Sequence, residues 1–245
     1  MKQLNYMFEL SHPSRLGILR LASTRKIRHT ELIQASGLSP SEVTRHTHRL
    51  QSSGLLKKTR SGEFRTTSNG QIVLNWLENF EFMSFNAPYL ENHRLNELPI
   101  GFDLFHVLRQ CEKITGTMNG VNTILRINAE SRTLLNGFIE EFHDSVVNIH
   151  YEKIKYGIDM KLITVRGKRI PFEYSEVDAV NLFMKSLPSV PFFFVASEKE
   201  CVVCFREVGG EIDYSTCFIT GNENIIEWFN MLFYYYWERG SAIEF

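Results

Sequence analysis

Residues 37–42 read Gly-Leu-Ser-Pro-Ser-Glu, and this short turn constrains the fold more than any other part of the chain. Ser39 and Glu42 have the spacing of a capping box, and proline is well tolerated at the first position of a helix. We therefore predict a helix over about residues 40–53. A shorter helix over about residues 30–36 is predicted to stop at the glycine that opens the turn.

Two helices joined by a three-residue turn are typical of a helix-turn-helix, in which the second helix offers its N-terminal half to the major groove of DNA. A further helix beginning at Pro13 is expected to pack behind them. Val43, Thr47 and Leu50 are predicted to face the core. The outward residues, and hence the predicted base-reading or DNA-contacting ones, are Ser41, Thr44, Arg45, His48 and Arg49.

Residues 55–58 and 64–67 are predicted to form two short strands joined by a glycine-containing turn. A hairpin in this place is a wing, and its charge suits the phosphate backbone or the minor groove. The predicted DNA-binding residues of the wing are Lys57, Lys58, Arg60 and Arg65. The alternative is a small helical bundle whose charged face is merely solvated and binds no ligand.

The charge distribution divides the chain into two opposite parts. Residues 1–70 carry 12 Lys and Arg against 4 Asp and Glu, a net charge of +8, although the whole chain has a net charge of −1. The remainder is therefore acidic, with a net charge of −9. A basic head suggests a polyanionic partner for that part alone. With 43% apolar residues the chain can bury a large core without disulfides, which excludes a disordered tail.

The basic head resembles the arsenic-repressor type of winged helix over about residues 4–80. The matching residues are 10–19, Glu31-Leu32, 37–46, Leu50 and Gly54-Leu55-Leu56. Thr47 stands where that family usually has leucine, and the paired Cys or His metal ligands of the family are missing. The resemblance therefore implies DNA binding without metal sensing, and we expect no metal and no cofactor.

A connector and a second domain are predicted beyond the head. Residues 72–83 have a helical, aromatic pattern that suggests a connector and a dimer helix. The polar and proline content of residues 86–99 indicates a domain boundary. The predicted domains are a winged helix-turn-helix over residues 1–80, a connector over residues 81–97 and a regulatory domain over residues 98–245.

The second domain alternates between helical and apolar strand patterns, which is typical of an α/β sheet. Helices are expected over about residues 140–156 and 175–187. Strands are expected near residues 112–118, 133–137, 160–165, 192–196 and 201–205. The fold class predicted for the whole chain is an α+β winged helix-turn-helix domain followed by an α/β regulatory domain.

The second domain also resembles archaeal winged-helix regulators that carry the middle domain first described in a methanogenesis regulatory protein. The residues that carry this likeness are Leu98-Pro99, Phe105, Gly116, 157–163, 210–215, Trp228-Phe229 and 232–237. The resemblance implies that this domain senses a signal that the head reports to DNA.

Motifs of catalysis are absent from the sequence: it contains no G-x-S-x-G, P-loop, G-x-G-x-x-G or H-E-x-x-H. The segment that runs from the preceding helix into residues 160–165 is similar to part of a phospholipase D-like sheet. The matching motif, His-x-Lys followed four residues later by Asp, is absent, because two residues instead of one separate His150 from Lys153. We expect no enzymatic activity. Cys201 and Cys204 have C-x-x-C spacing, but in a strand they point to opposite faces, which favours buried thiols over a zinc or redox site.

The last helical pattern carries more aromatic surface than one face can bury, so part of it is predicted to line a ligand pocket. The candidate pocket residues are Trp228, Phe229, Phe233 and Tyr236. Taken together, the sequence predicts a cytoplasmic, homodimeric transcription regulator that binds double-stranded DNA, contacts no membrane and senses a small-molecule effector. The alternatives are an RNA-binding or protein-interaction winged helix, or an enzyme of the α/β body.

Overall fold

The computed structural model describes residues 5–95, 98–99, 103–176 and 181–243. The chain is an α+β protein with a large mixed sheet, and it divides into two compact units, Met1–Ser84 and Phe85–Phe245. The boundary between the units falls within residues 81–97, the predicted connector.

The first unit consists of helices and one small hairpin. Its elements are α1 (Asn5–Leu10), α2 (Pro13–Thr24), α3 (His29–Ser36), α4 (Pro40–Ser52), β1 (Leu56–Lys58), β2 (Phe64–Thr66) and α5 (Ser68–Phe85). The core of this unit joins α2, α3 and α4 to the hairpin through buried Leu19, Leu32 and Leu50. Ile27 and Phe64 exchange two backbone hydrogen bonds, with N–O distances of 3.0 and 2.7 Å, which fix the hairpin to the segment between α2 and α3.

The second unit is built on an eight-stranded sheet. Its elements are α6 (Ala87–Glu91), α7 (Leu104–Leu108), β3 (Glu112–Thr115), α8 (Thr117–Glu130), β4 (Leu134–Ile139), α9 (Asp144–Lys155), β5 (Asp159–Val165), α10 (Phe172–Glu176), β6 (Leu182–Leu187), β7 (Phe192–Ser197), β8 (Cys201–Phe205), β9 (Thr216–Thr220), α11 (Glu223–Trp237) and β10 (Ser241–Ala242). The strand order is β10-β6-β5-β4-β7-β8-β9-β3. Strands β4, β5 and β6 are parallel, and the other neighbours are antiparallel.

Side chains alternate between the two faces of this sheet. Leu135, Val195 and Val202 belong to the core that includes side chains of α8 and α9. On the opposite face, Phe138 and Phe194 contact Phe233 of α11, with ring centroids 5.4 and 6.0 Å apart. The sheet is therefore covered on both faces, which explains why its central strands are apolar throughout.

Several predicted elements of the second unit need correction. The predicted helix over residues 175–187 is wrong, because residues 182–187 pair with β5 as a parallel strand; residues 177–180 lie outside the described part of the chain. A strand buried on both faces has a nearly continuous apolar pattern, and periodicity alone does not separate it from a helix. The predicted strand at 112–118 ends at Thr115, since Gly116 has a φ of 97° and precedes α8. The predicted helix over 140–156 begins only at Asp144.

Candidate nucleic-acid interface

The start of α4 is fixed by the capping box that the sequence predicts. The backbone N–H of Ser39 donates to the Glu42 carboxylate, with N and Oε2 3.0 Å apart, and the Glu42 N–H donates back to Ser39 Oγ over 3.4 Å. The Ser39 hydroxyl also donates to the Glu42 carboxylate over 2.7 Å, and this hydrogen bond, followed by the one from the Ser39 N–H, lowers the pKa of Glu42. The carboxylate stays ionised, which also suits the positive end of the helix dipole.

The outward face of α4 contains the residues predicted from the sequence. Val43, Thr47 and Leu50 are buried, and the side chains on the other side are exposed: Ser41, Thr44, Arg45, His48 and Arg49. Thr47, the residue that departs from the arsenic-repressor pattern, donates its hydroxyl to the Val43 carbonyl over 2.8 Å. A threonine is therefore accommodated in this core without an unpaired polar group.

Arg49 has a structural partner that the sequence did not reveal. Its guanidinium lies 2.7 Å from the carboxylate of Glu9, which is buried and also pairs with Arg15 over 2.8 Å. The hydrogen bond from Arg49 is the main reason that the pKa of Glu9 is lowered. Forty residues separate Glu9 from Arg49, so local spacing gave no signal of this pair. Part of the Arg49 guanidinium is thus committed to holding α1 against α4.

Thr44 is likewise held in place. Its hydroxyl donates to the Pro40 carbonyl over 2.8 Å and lies 3.0 Å from His29 Nε2. Arg45 is different, because it has no ion-pair partner within 4.0 Å among the residues that the structure describes. Of the two arginines on the exposed face of α4, Arg45 is therefore the one whose guanidinium is available.

The hairpin carries four exposed cations, two of which face each other across its strands. Lys57 and Arg65 are both exposed and stand directly opposite each other in the register of β1 and β2. Like charges in facing positions destabilise a hairpin, and an anion that binds between them removes that penalty. Lys58 lies 5.6 Å from the ring centre of Phe64, and Arg60 is exposed in the turn. The hairpin is thus chemically suited to phosphate.

The four residues predicted to line a ligand pocket lie on the last helix, and an open groove of about 580 Å³ beside this helix is lined by Tyr234 and Trp237 of the same helix. Phe229 and Phe233 are buried against the sheet, while Trp228 and Tyr236 are half-buried beside them. Aromatic contacts account for these residues, as Tyr236 meets Phe138 with ring centroids 5.7 Å apart. The aromatic pattern of α11 is explained mainly by core packing.

An apolar cavity of about 210 Å³ lies on the other face of the sheet, between α8, α9 and the strands. Its wall includes Ile124, Ile139 and Phe193, and its polar side chains include Glu141, His143 and Ser145. The sequence gave no indication of this cavity, because no helix was predicted where α8 lies.

His150 lies at this cavity and is fully buried. Its Nδ1 is 2.7 Å from the Tyr174 hydroxyl and its Nε2 is 2.6 Å from Asn128 Oδ1. Asn128 donates its amide N–H to the Ile124 carbonyl, so its oxygen accepts and His150 Nε2 carries the proton. Burial lowers the pKa of His150 to about 3. The ring is neutral, and both nitrogens are already used.

The four cysteines are free thiols. Cys204 belongs to the core shared with α8 and α9, and its sulfur lies 2.8 Å from that of Cys217. Cys201 points to the other face, as strand alternation predicts. Burial raises the pKa values of Cys201 and Cys204. These thiols therefore contribute packing, and the C-x-x-C spacing brings no sulfur pair together.

Comparison with known proteins yields no family assignment. No protein-family model matches the chain, and no curated protein matches its sequence. Among similar solved structures is TrmBL2, described as an archaeal chromatin protein that shows a novel mode of DNA binding. It is 11% identical over 94% of this chain and 92% of its own length, with a TM-score of 0.46.

Two further solved structures match about half of the chain. NucT from Helicobacter pylori is 10% identical over 54% of this chain and 98% of its own, with a TM-score of 0.44. Nuc from Salmonella typhimurium, a phospholipase D family member, is 12% identical over 55% of this chain and 99% of its own, with a TM-score of 0.42. At these scores the likenesses establish neither fold family nor activity. No helix among the described residues is long and apolar enough to cross a membrane.

Proposed function

We propose that the first unit is a winged helix-turn-helix that binds double-stranded DNA. The observation that carries this proposal is the set of exposed cations on α4 and on the hairpin, in particular the facing pair Lys57 and Arg65. A protein that carries like charges opposite each other retains a destabilising contact, which a polyanionic ligand turns into a favourable one.

The two parts of this surface have different tasks in the proposed complex. Helix α4 enters the major groove, where Arg45 reads guanine, and Thr44, His48 and Ser41 contact neighbouring base edges. The hairpin cations hold phosphates and fix the register without reading sequence; they are Lys57, Lys58, Arg60 and Arg65. Arg49 serves mainly to position α4, because Glu9 occupies its guanidinium.

We further propose that the protein acts as a homodimer through α5. Three large apolar side chains follow one another at helical spacing on this helix: Ile72 is 57% exposed, Trp76 is 60% exposed and Phe80 is 47% exposed. Residues four apart share a helix face, so these side chains form one apolar stripe. A stripe of this kind is suited to a second copy of itself.

The second unit is proposed to bind a small effector in the cavity between α8, α9 and the sheet. The polar atoms of His150 that face this region are already hydrogen-bonded, so the cavity favours an apolar ligand body, with any polar group near Glu141, His143 and Ser145. The same hydrogen bonds leave His150 unable to act as a general base. An effector that prefers one arrangement of this unit shifts the population of DNA-binding states.

The proposal is tested by measuring the binding of fluorescent duplex DNA to the full chain over a range of salt concentrations. If a dimer closes about eight phosphate contacts, the slope of log affinity against log salt is about −7. Lys57→Gln with Arg65→Gln lowers affinity for all sequences and flattens the slope, whereas Lys199→Gln, an exposed cation of the second unit, changes neither. A salt-independent affinity contradicts the proposal, and preference for single-stranded RNA over duplex in competition supports the RNA-binding alternative.

The effector site has its own test, which uses indole as a small apolar probe. Indole should raise the melting temperature of the parent protein, and Val121→Trp, which fills the cavity wall, should remove that increase. An equal increase in both proteins contradicts this location for the effector.

A further inference from the structure

Three potential metal ligands lie together in the second unit: His93, after α6, with Glu207 and Asp213, which lie between β8 and β9. Their nearest ligand atoms are all within 4.8 Å of one another. Backbone contacts hold the two segments side by side, because Val208 N–H donates to the Asn92 carbonyl over 2.8 Å. The group is therefore fixed by the main chain and not only by side-chain conformations.

The hydrogen bonds of His93 determine which ring nitrogen faces the carboxylates. Nδ1 lies 2.6 Å from the carbonyl oxygen of Tyr89. A carbonyl oxygen only accepts, so Nδ1 carries a proton and donates it. In a neutral imidazole Nε2 then carries a lone pair and is an acceptor. It lies 3.2 Å from Asp213 Oδ2, which is an acceptor too. Two acceptors face each other stably only with a cation between them: a proton or a metal ion.

The distance between these two atoms fits a metal ion as well as a bridging proton. With ligand bonds of about 2.0–2.2 Å, two ligands of a tetrahedral zinc ion are about 3.3 Å apart, close to the 3.2 Å between His93 Nε2 and Asp213 Oδ2. His93 has a side chain that is 5% exposed, and Tyr89 stacks on its ring with centroids 3.7 Å apart. The ring is held in this orientation by groups outside the cluster.

The carboxylate of Asp213 is oriented in the same way. Its Oδ1 accepts hydrogen bonds from the Ser215 N–H over 2.8 Å and from the Ser215 hydroxyl over 2.5 Å. This arrangement leaves Oδ2 for His93. Metal ligands need neighbouring groups that hold them in orientation. Here a backbone carbonyl holds the histidine, and a serine holds the carboxylate. Glu207 is exposed, and a rotation of its side chain would bring its carboxylate to an ion held by the other two residues.

We propose that His93 Nε2, Asp213 Oδ2 and the Glu207 carboxylate form a binding site for a divalent transition metal, with Zn²⁺ as the expected ion. One imidazole and two carboxylates suit Zn²⁺ better than Mg²⁺ or Ca²⁺, which prefer oxygen ligands alone. Three protein ligands leave the fourth position to water. The ion ties the α6 segment to the chain between β8 and β9. This proposal differs from the expectation of no metal in the sequence analysis. The sequence gave no signal of the site, because 120 residues separate His93 from Asp213.

The test uses the full chain, stripped of metal with a chelator and dialysed. Titration calorimetry with ZnCl₂, together with metal analysis after dialysis, should give one Zn²⁺ per chain, and a millimolar excess of Mg²⁺ should not displace it. Co²⁺ should give the visible absorption of a tetrahedral or five-coordinate ion without thiolate charge-transfer bands. Substoichiometric zinc, or cobalt bands from thiolates, overturns the proposal.

Three variants locate the ion. Glu207→Gln alters an exposed side chain, so the fold is retained, and affinity should fall at least tenfold; Asp213→Asn should lower it at least as much. Glu211→Gln, an acid of the same loop outside the cluster, should leave affinity unchanged. If Glu207→Gln binds zinc like the parent, or if Glu211→Gln is equally weakened, the site is not the one proposed. In the rival arrangement a protonated His93 donates from Nε2 to the Asp213 carboxylate, and no zinc binds. DNA affinity is measured separately, so failure of this site leaves the DNA-binding proposal untouched.

Discussion

The buried His150 should make the second unit less stable in mild acid. The pKa of this side chain is lowered from 6.5 to about 3 by burial, so the folded protein keeps it neutral while the unfolded chain takes up a proton below pH 6.5. Stability therefore falls as the pH drops from about 6.5 towards 3. Between pH 7 and pH 5 the expected loss from this group is about 2 kcal/mol, because each pH step below the unfolded pKa contributes about 1.4 kcal/mol.

The chain offers a direct way to measure this loss. Of its three tryptophans, Trp76 belongs to the first unit, and its side chain is 60% exposed. Trp76→Phe therefore leaves Trp228 and Trp237 as fluorescence reporters of the second unit. Urea unfolding of this background protein at pH 7 and pH 5 is compared with the same background carrying His150→Gln, whose amide does not titrate.

The difference between the two proteins isolates His150, because every other titrating group is shared. The background protein should lose about 2 kcal/mol more than the His150→Gln variant between pH 7 and pH 5. The variant is expected to be less stable at both pH values, but its dependence on pH should be flatter. An equal loss in both proteins refutes the argument that burial holds this imidazole neutral.

Two further predictions concern the first unit. Arg49→Gln should lower its free energy of unfolding by roughly 1–3 kcal/mol, since the variant loses hydrogen bonding to the buried carboxylate of Glu9. Arg45→Gln, the control, should leave this free energy within about 0.5 kcal/mol of the parent. Equal stability of the two variants contradicts the pairing of Arg49 with Glu9. Gly70→Ala should destabilise by about 1–3 kcal/mol, because an added Cβ meets the backbone carbonyl oxygen that precedes β1. Gly17→Ala, where a Cβ meets no atom within 4 Å, should stabilise by about 0.5–1 kcal/mol, and unfolding of both variants in urea tests this difference in sign.

Local signals predicted the first unit well. The capping box at Ser39 and Glu42 acts within one helical turn, and the hairpin is closed by its own glycine, so neither depends on distant residues. The burial of Val43 and Leu50 follows from helical periodicity alone. What sequence did not reveal is the contact from Glu9 to Arg49, which only the packing of α1 against α4 brings about.

The second unit was harder to predict because its sheet is buried on both faces. The apolar pattern of residues 182–187 fits a helix as well as a buried strand. These residues form a strand because β5 is their parallel neighbour. The Gly116 conformation turns the chain from β3 into α8, and missing that turn hid one wall of the cavity. The cluster of His93, Glu207 and Asp213 depends on two loops that meet only in the folded chain.

The central claim is that α4 reads a DNA sequence, and the most direct measurement is selection from random-sequence duplex DNA with the parent protein and Arg45→Gln in parallel. We expect an enriched site in the parent, with two half-sites about one helical turn apart, or roughly 10 base pairs, as a symmetric dimer requires. Arg45→Gln, which leaves the fold intact, should lose preference at one position of each half-site. No enriched sequence in the parent, or the same enriched sequence in both proteins, would contradict sequence reading by α4.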